Sequence, residues 1–187
     1  MFDDDEFFQA VKDERYFHYK AENPELSEYD WNYIFATTSH KELLDWNREK
    51  NRVVVAGLET HPKLPKFAKN IIENLKEYFP LNKITCQAFC TFGEEGKSFK
   101  IHRDAMDVLY MQVTGEINWQ VWKSFSETTE TIISPENGKC IFSKHFTPGD
   151  MIWIPRNTFH LAEPINTRVG FSFGVEHDPP AHKSVLY

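Results

Sequence analysis

The chain has little cysteine, no basic block and no long apolar run, and each absence removes a class of protein. Cys86, Cys90 and Cys140 are an odd number without metal-site spacing, so neither a disulfide framework nor a thiolate zinc site is expected. Cys86 and Cys90 read as core. Lys and Arg total 21 against 28 Asp and Glu, a formal charge of −7; this argues against a sequence-independent grip on nucleic acid and favours a protein side chain, a peptide or a small molecule as partner. No stretch approaches the roughly 20 apolar residues of a membrane-spanning helix. The start carries Asp3, Asp4, Asp5 and Glu6 where a secretory leader would carry base, so a cytoplasmic protein without membrane attachment is expected. Internal repeats, low-complexity segments and Gly/Ser linkers are absent, and residues 1–187 read as one domain.

What is present is 41% hydrophobic and 15% aromatic residues, enough for one core of ordinary size. Residues 1–80 read as a mostly helical covering segment. Acid at Asp3–Glu6 suits the positive end of a helix carrying Phe7, Phe8 and Val11. Ser39 and Glu42 fit a capping box ahead of Leu43, Leu44 and Trp46, which predicts a second short helix, and Val53–Val55 predicts a strand. From Pro62, the residues Leu64, Phe67, Ala68, Ile71, Ile72, Leu75 and Phe79 recur at helical spacing until Pro80 stops them. That stripe is suited to covering a sheet. Residues 81–176 then break into short β-rich runs at about 83–92, 99–104, 107–114, 117–122, 130–133, 139–145, 151–154 and 168–175. Such a series without intervening helices predicts a small barrel or jelly roll. Residues 177–187 read as a tail lying over the surface.

His102 and Asp104 stand two residues apart, so on a strand both side chains would leave the same face. His160, just after the apolar run Met151–Ile154, supplies a third ligand from a distant part of the chain. Two histidines and one carboxylate on one face of an octahedral metal leave positions open for a cosubstrate and O₂, the arrangement of non-haem Fe(II) oxygenases.

The segment His102-Arg-Asp-Ala-Met-Asp-Val-Leu-Tyr-Met-Gln-Val-Thr-Gly-Glu-Ile-Asn-Trp119 resembles, without a gap, the iron-binding segment of JmjC-type 2-oxoglutarate oxygenases of the cupin superfamily, in particular the ribosomal-protein and asparaginyl hydroxylases. Gln112, Gly115 and Trp119 match as well. Phe146-Thr-Pro-Gly-Asp-Met-Ile-Trp-Ile-Pro-Arg-Asn-Thr-Phe-His160 is similar to the family's second ligand segment, and the 56 residues from Asp104 to His160 resemble the family's interval. The resemblance implies a mainly β fold with N-terminal helices, a double-stranded β-helix holding Fe(II) at His102, Asp104 and His160. It also implies oxidative decarboxylation of 2-oxoglutarate to succinate, coupled to hydroxylation or demethylation of a substrate.

Two positions depart from that pattern. The relatives' Lys or Arg, thirteen residues after the Asp, is Ile117 here, and an assisting tyrosine on the preceding strand is replaced by Phe89. Arg168 opens the last strand and should share a face with Gly170 and Ser172. Other branches of the superfamily take their cosubstrate cation from this strand, often in an R-x-S pattern, in which Gly170 stands at the serine position. Arg168 is therefore the candidate for the distal carboxylate, with Ser172 as a helper; Lys100, of the same parity as His102 and Asp104, is a further candidate. A cupin metalloprotein or oxygenase that does not use 2-oxoglutarate remains the alternative, and a non-catalytic interaction module a third reading. Asp150 is expected to fix a turn, Arg156 to brace the loop before His160, His145 to lie in a loop, and Trp119, Trp122 and Trp153 to be core. A monomer and a dimer through the N-terminal helices both fit.

Overall fold

The computed structural model describes residues 5–21, 44–47, 50–93, 96 and 98–177. Helix α1 (Asp5–Lys12) is followed by strands β1 (Phe17–Lys20), β2 (Leu44–Asn47) and β3 (Arg52–Val55), a single 3-10 turn and helix α2 (Lys66–Tyr78). Strands β4 (Lys83–Thr91), β5 (Asp107–Thr114), β6 (Ile117–Ser124), β7 (Gly138–Phe146), β8 (Asp150–Ile154), β9 (Phe159–Pro164) and β10 (Arg168–Glu176) complete the fold. A seven-stranded sheet runs β1-β8-β5-β10-β4-β3-β2 and a three-stranded sheet runs β7-β6-β9. All pairings are antiparallel, and the result is the expected double-stranded β-helix. Among the described residues no helix is long and apolar enough to cross a membrane.

The large sheet separates two cores. On its outer face, Cys86, Ala88 and Cys90 of β4 and Val169, Phe171, Phe173 and Val175 of β10 meet Phe67, Ile71 and Leu75 of α2. These helix residues recur every four positions, so one stripe covers the sheet. On the inner face Val108 and Tyr110 of β5 meet Ile117, Trp119 and Val121 of β6 and Phe146 of β7. Strand alternation therefore turns Arg168, Gly170 and Ser172 away from the helix and into the space between the sheets.

Several expectations need correction. Among the described residues of 1–80, strands β1, β2 and β3 join the large sheet alongside helices α1 and α2, and of these strands the sequence predicts only β3. Leu44–Asn47, expected within a helix, is a strand paired with β3 from Leu44↔Val55 to Asn47↔Arg52; cross-strand pairing overrides the local capping signal. The Ser39–Glu42 box itself lies outside the described residues, as does the tail from Asp178. Helix α2 begins at Lys66 rather than at Pro62, because Pro65 caps it in an extended conformation. The runs at 99–104 and 130–133 form only isolated bridges. His145 lies on β7, exposed and 2.9 Å from Glu116.

Asp150 fixes its turn as expected, accepting from the backbone N–H and hydroxyl of Thr147. It also reaches β1, bonding His18 at 2.9 Å and Lys20 at 3.0 Å. Burial opposes the charge of this carboxyl, yet the Thr147 N–H, His18 and Lys20 outweigh burial and hold it below the usual carboxylate range.

Candidate metal centre

The two histidines singled out in the sequence are direct backbone partners. His102 N–H donates to the His160 carbonyl at 3.0 Å, and His160 N–H donates to the His102 carbonyl at 2.7 Å. This narrow antiparallel pair brings both side chains to one side with their rings 4.3 Å apart. One residue pair thus closes the long interval between the motifs. Asp104 is drawn in by its carbonyl, which accepts from Asn157 N–H at 2.9 Å in the turn before β9.

The donor atoms converge. Asp104 lies 4.0 Å from His102 Nε2 and 3.5 Å from His160 Nε2, and one ligand atom from each of the three falls within 4.8 Å of the others. Each ring is also oriented: Nδ1 of His102 lies 2.8 Å from the Lys100 carbonyl and Nδ1 of His160 lies 2.9 Å from that of Thr158. A carbonyl only accepts, so each Nδ1 carries the proton and each Nε2 presents its lone pair to the common centre. Burial first, and then His160 and Arg52, hold the His102 pKa down to about 4 against the pull of Asp104. The imidazole is thus neutral at neutral pH, the form that ligates a metal. Asp104 is the open side of the triad, its side chain 23% exposed against 4% for His160. Three donors of this hardness gathered on one side fit a divalent metal with free positions.

Behind the triad lies the packed inner cluster. Trp119 lies 5.7 Å from the His160 ring and 4.8 Å from Tyr110. Ile117 is fully buried in the same inner core, so the position where relatives carry a cation is hydrocarbon here. A buried cation stands instead on β10. Arg168 is 1% exposed, its Nη1 donating to the Tyr110 hydroxyl at 3.1 Å and approaching the Phe89 carbonyl at 3.4 Å, while its Nε is buried without a partner. Among the described residues no carboxylate pairs with it. Ser172 is half-buried on the same face, in register with Tyr110 of β5.

Lys100 does not join this set. Residues 100–104 are not a regular strand, so parity does not carry over, and the Lys100 side chain is exposed on the rim of a surface pocket with Ile132 and Leu161. Its contribution is the carbonyl that orients His102. Arg156 braces its loop through its backbone rather than its guanidinium: its N–H donates to Asp107 at 2.7 Å, and Asp107 also meets His177 at 2.6 Å. Trp119 and Trp153 are core, and Trp122 packs beside Phe159. Burial pushes the Cys90 thiol up to about 12 and raises Cys86 as well, which keeps both unreactive.

Two neighbours of the site, Tyr110 and Arg52, were not singled out in the sequence, and Gln112 was noted there only as a match to the resembled family. Tyr110 and Gln112 share the inner face with Arg168, but nothing in one sequence links β5 to β10. Arg52 is buried at the start of β3, opposite Thr91, which is also the register partner of Arg168. Its guanidinium lies 3.8 Å over the Phe99 ring, itself 5.5 Å from the His102 ring. The apolar run Val53–Val55 signalled the strand and concealed the arginine at its head.

Comparison with known proteins agrees with this fold. A probable ribosomal oxygenase of Haemophilus influenzae is 24% identical over 170 residues, covering 81% of this chain and 38% of the relative. YcfD, a ribosomal oxygenase from Escherichia coli solved with cobalt and 2-oxoglutarate, superposes with a TM-score of 0.69 at 14% identity over 91% of this chain and 51% of that one. SnoK, a non-haem alpha-ketoglutarate-dependent carbocyclase of nogalamycin biosynthesis, gives 0.64 at 13% identity over 92% of this chain and 83% of its own. The chain thus spans under two-fifths of the curated relative and about half of YcfD. Residues 62–183, containing the triad and Arg168, match the JmjC domain, and the chain belongs to the JmjC domain family.

Proposed function

We propose that this chain is a non-haem Fe(II)- and 2-oxoglutarate-dependent oxygenase, with His102, Asp104 and His160 as iron ligands and Arg168 as the anchor of the distal carboxylate. The observation that carries the reading is the pairing, within one space between the sheets, of a converging two-histidine, one-carboxylate set with a buried arginine that lacks an acidic partner among the described residues. A guanidinium in such surroundings is costly unless a ligand supplies the charge, and a carboxylate matches its geometry. The ligands named for YcfD and SnoK support the same cosubstrate.

When bound, Fe(II) and 2-oxoglutarate would supply the oxidising chemistry, decarboxylation to succinate coupled to hydroxylation of a substrate C–H bond. The chain's own residues hold and orient. The Nε2 atoms of both histidines and the Asp104 carboxylate converge and would hold the metal between them. Trp119, Ile117 and Val121 line the interior with hydrocarbon, which strengthens the pairing of a carboxylate with Arg168. Ser172, half-buried on the same face, is a secondary contact.

The ribosomal oxygenases among the relatives favour a protein side chain as substrate, with a peptide or small molecule as the alternatives. A cupin oxygenase that does not use 2-oxoglutarate is the second reading, favoured by Ile117 and Phe89, which replace two polar contacts of the relatives. Anaerobic titration with Fe(II) and then 2-oxoglutarate decides between them. A saturable metal-to-ligand charge-transfer band is expected in the wild type, weakened at least tenfold in affinity by Arg168→Ala, since removing one partner of a buried charge pair costs a few kcal/mol, about 3–5. Iron binding without a band would establish the second reading; an unchanged band in the variant would move the anchor elsewhere.

A further inference from the structure

Arg168 ends a chain of hydrogen bonds whose direction is fully determined. Gln112 is completely buried, and its Nε2 donates to the Thr114 carbonyl at 2.8 Å and the Gly115 carbonyl at 3.0 Å. Both amide hydrogens are thereby used, and Oε1 can only accept. The Tyr110 hydroxyl donates its one proton to that oxygen at 2.5 Å, so towards Arg168 it can only accept, and Arg168 Nη1 donates to it at 3.1 Å. With Nη1 also facing the Phe89 carbonyl, the remaining N–H groups of the guanidinium are Nε, buried without a partner, and Nη2, which makes no hydrogen bond among the described residues. These two form the parallel fork that matches a carboxylate.

We propose that Tyr110 is a positioning residue that turns the Nε/Nη2 edge of Arg168 to the distal carboxylate of the keto acid, and so selects 2-oxoglutarate over keto acids lacking that carboxylate. The inference rests on the proposed role of Arg168. A second observation ties Tyr110 to this place. Gly170, two residues after Arg168 on the same face, has no side chain, and a Cβ there would lie 1.9 Å from the Tyr110 hydroxyl oxygen and 2.3 Å from the carbon bearing it. The hydroxyl occupies the space a side chain at position 170 would fill. The glycine on β10 and the tyrosine on β5 are thus a matched pair. Burial also raises the Tyr110 pKa, so the phenol keeps the proton that it gives to Gln112.

The test measures binding of 2-oxoglutarate and of 2-oxopentanoate, a keto acid of equal length without the distal carboxylate, to the Fe(II)-loaded protein under anaerobic conditions. Tyr110→Phe is expected to weaken 2-oxoglutarate about tenfold, the size of one hydrogen bond to a charged group, and to leave 2-oxopentanoate unchanged. In turnover the KM for 2-oxoglutarate should rise with kcat at saturation preserved. Gly170→Ala should produce the same selective loss by displacing the phenol, and it reads the proposal independently should Tyr110→Phe fail to fold. Equal affinity for 2-oxoglutarate in wild type and Tyr110→Phe, or equal weakening of both keto acids, would overturn the positioning role while leaving the oxygenase reading intact. If the wild type with Fe(II) binds neither keto acid, the 2-oxoglutarate assignment falls and this inference with it.

Discussion

At the scale of single residues, the orientation of side chains by a second partner recurs throughout the molecule. His102 and His160 each face a carbonyl two residues earlier in the chain, Tyr110 faces Gln112, and Asp150 is gripped by three neighbours. Asp150→Asn should destabilise the fold by about 1–3 kcal/mol at neutral pH, the range for hydrogen bonds to a charged buried group. The pH dependence follows from the direction of the shift. A carboxyl held below its usual range in the folded state contributes stability above that range and loses it as pH falls through the folded value. Urea denaturation of wild type and variant should therefore differ at pH 7, and the difference should begin to shrink only as pH falls below about 4, the usual carboxylate pKa, and vanish below the folded value. The turn made by Asp150 was legible because Pro-Gly-Asp has local chemistry; its bonds to His18 and Lys20 were not, because β1 lies 130 residues away in sequence.

At the scale of elements, α2 was readable because its buried residues repeat at the helical period, whereas β1, β2 and β9 were not, being short strands whose existence depends on a partner edge. The same dependence explains why the H-x-D segment is not a strand: among the described residues its pairing is limited to isolated bridges of His102 with Ile132 and His160. The connection between β5 and β6 is where element geometry constrains the site most tightly. Gly115 turns the chain with φ +72°, and a Cβ there would lie 2.1 Å from the Thr167 carbonyl oxygen. Gly115→Ala should cost more than about 1 kcal/mol, read as a lowered denaturation midpoint. Because Gln112 bonds the Gly115 carbonyl, the same variant should also weaken 2-oxoglutarate binding.

At the scale of the whole molecule, the triad joins two sheets. His102 and Asp104 lead into β5 of the seven-stranded sheet, and His160 stands on β9 of the three-stranded one. A metal held by all three would bind the folded chain and not the unfolded one. Thermal unfolding should therefore shift upward with Fe(II), Mn(II) or Co(II), by about 2.7 kcal/mol at a concentration one hundred times Kd. Asp104→Ala and His102→Ala should abolish the shift while the metal-free proteins remain folded.

The β-rich core, the covering helix α2 and the candidate ligands His102, Asp104 and His160 could all be read from local spacing: period two, period 3.6, and two motifs with fixed offsets. Arg168 as candidate anchor and Ile117 as a departure from the resembled family could also be singled out there. That Lys100 is exposed, that Arg52 lies beside Phe99 near the triad, and that Tyr110 fills the space left by Gly170 became visible only in the folded chain. Those facts depend on which strands become neighbours, and strand pairing is set by burial between sheets rather than by the residues adjacent along the chain.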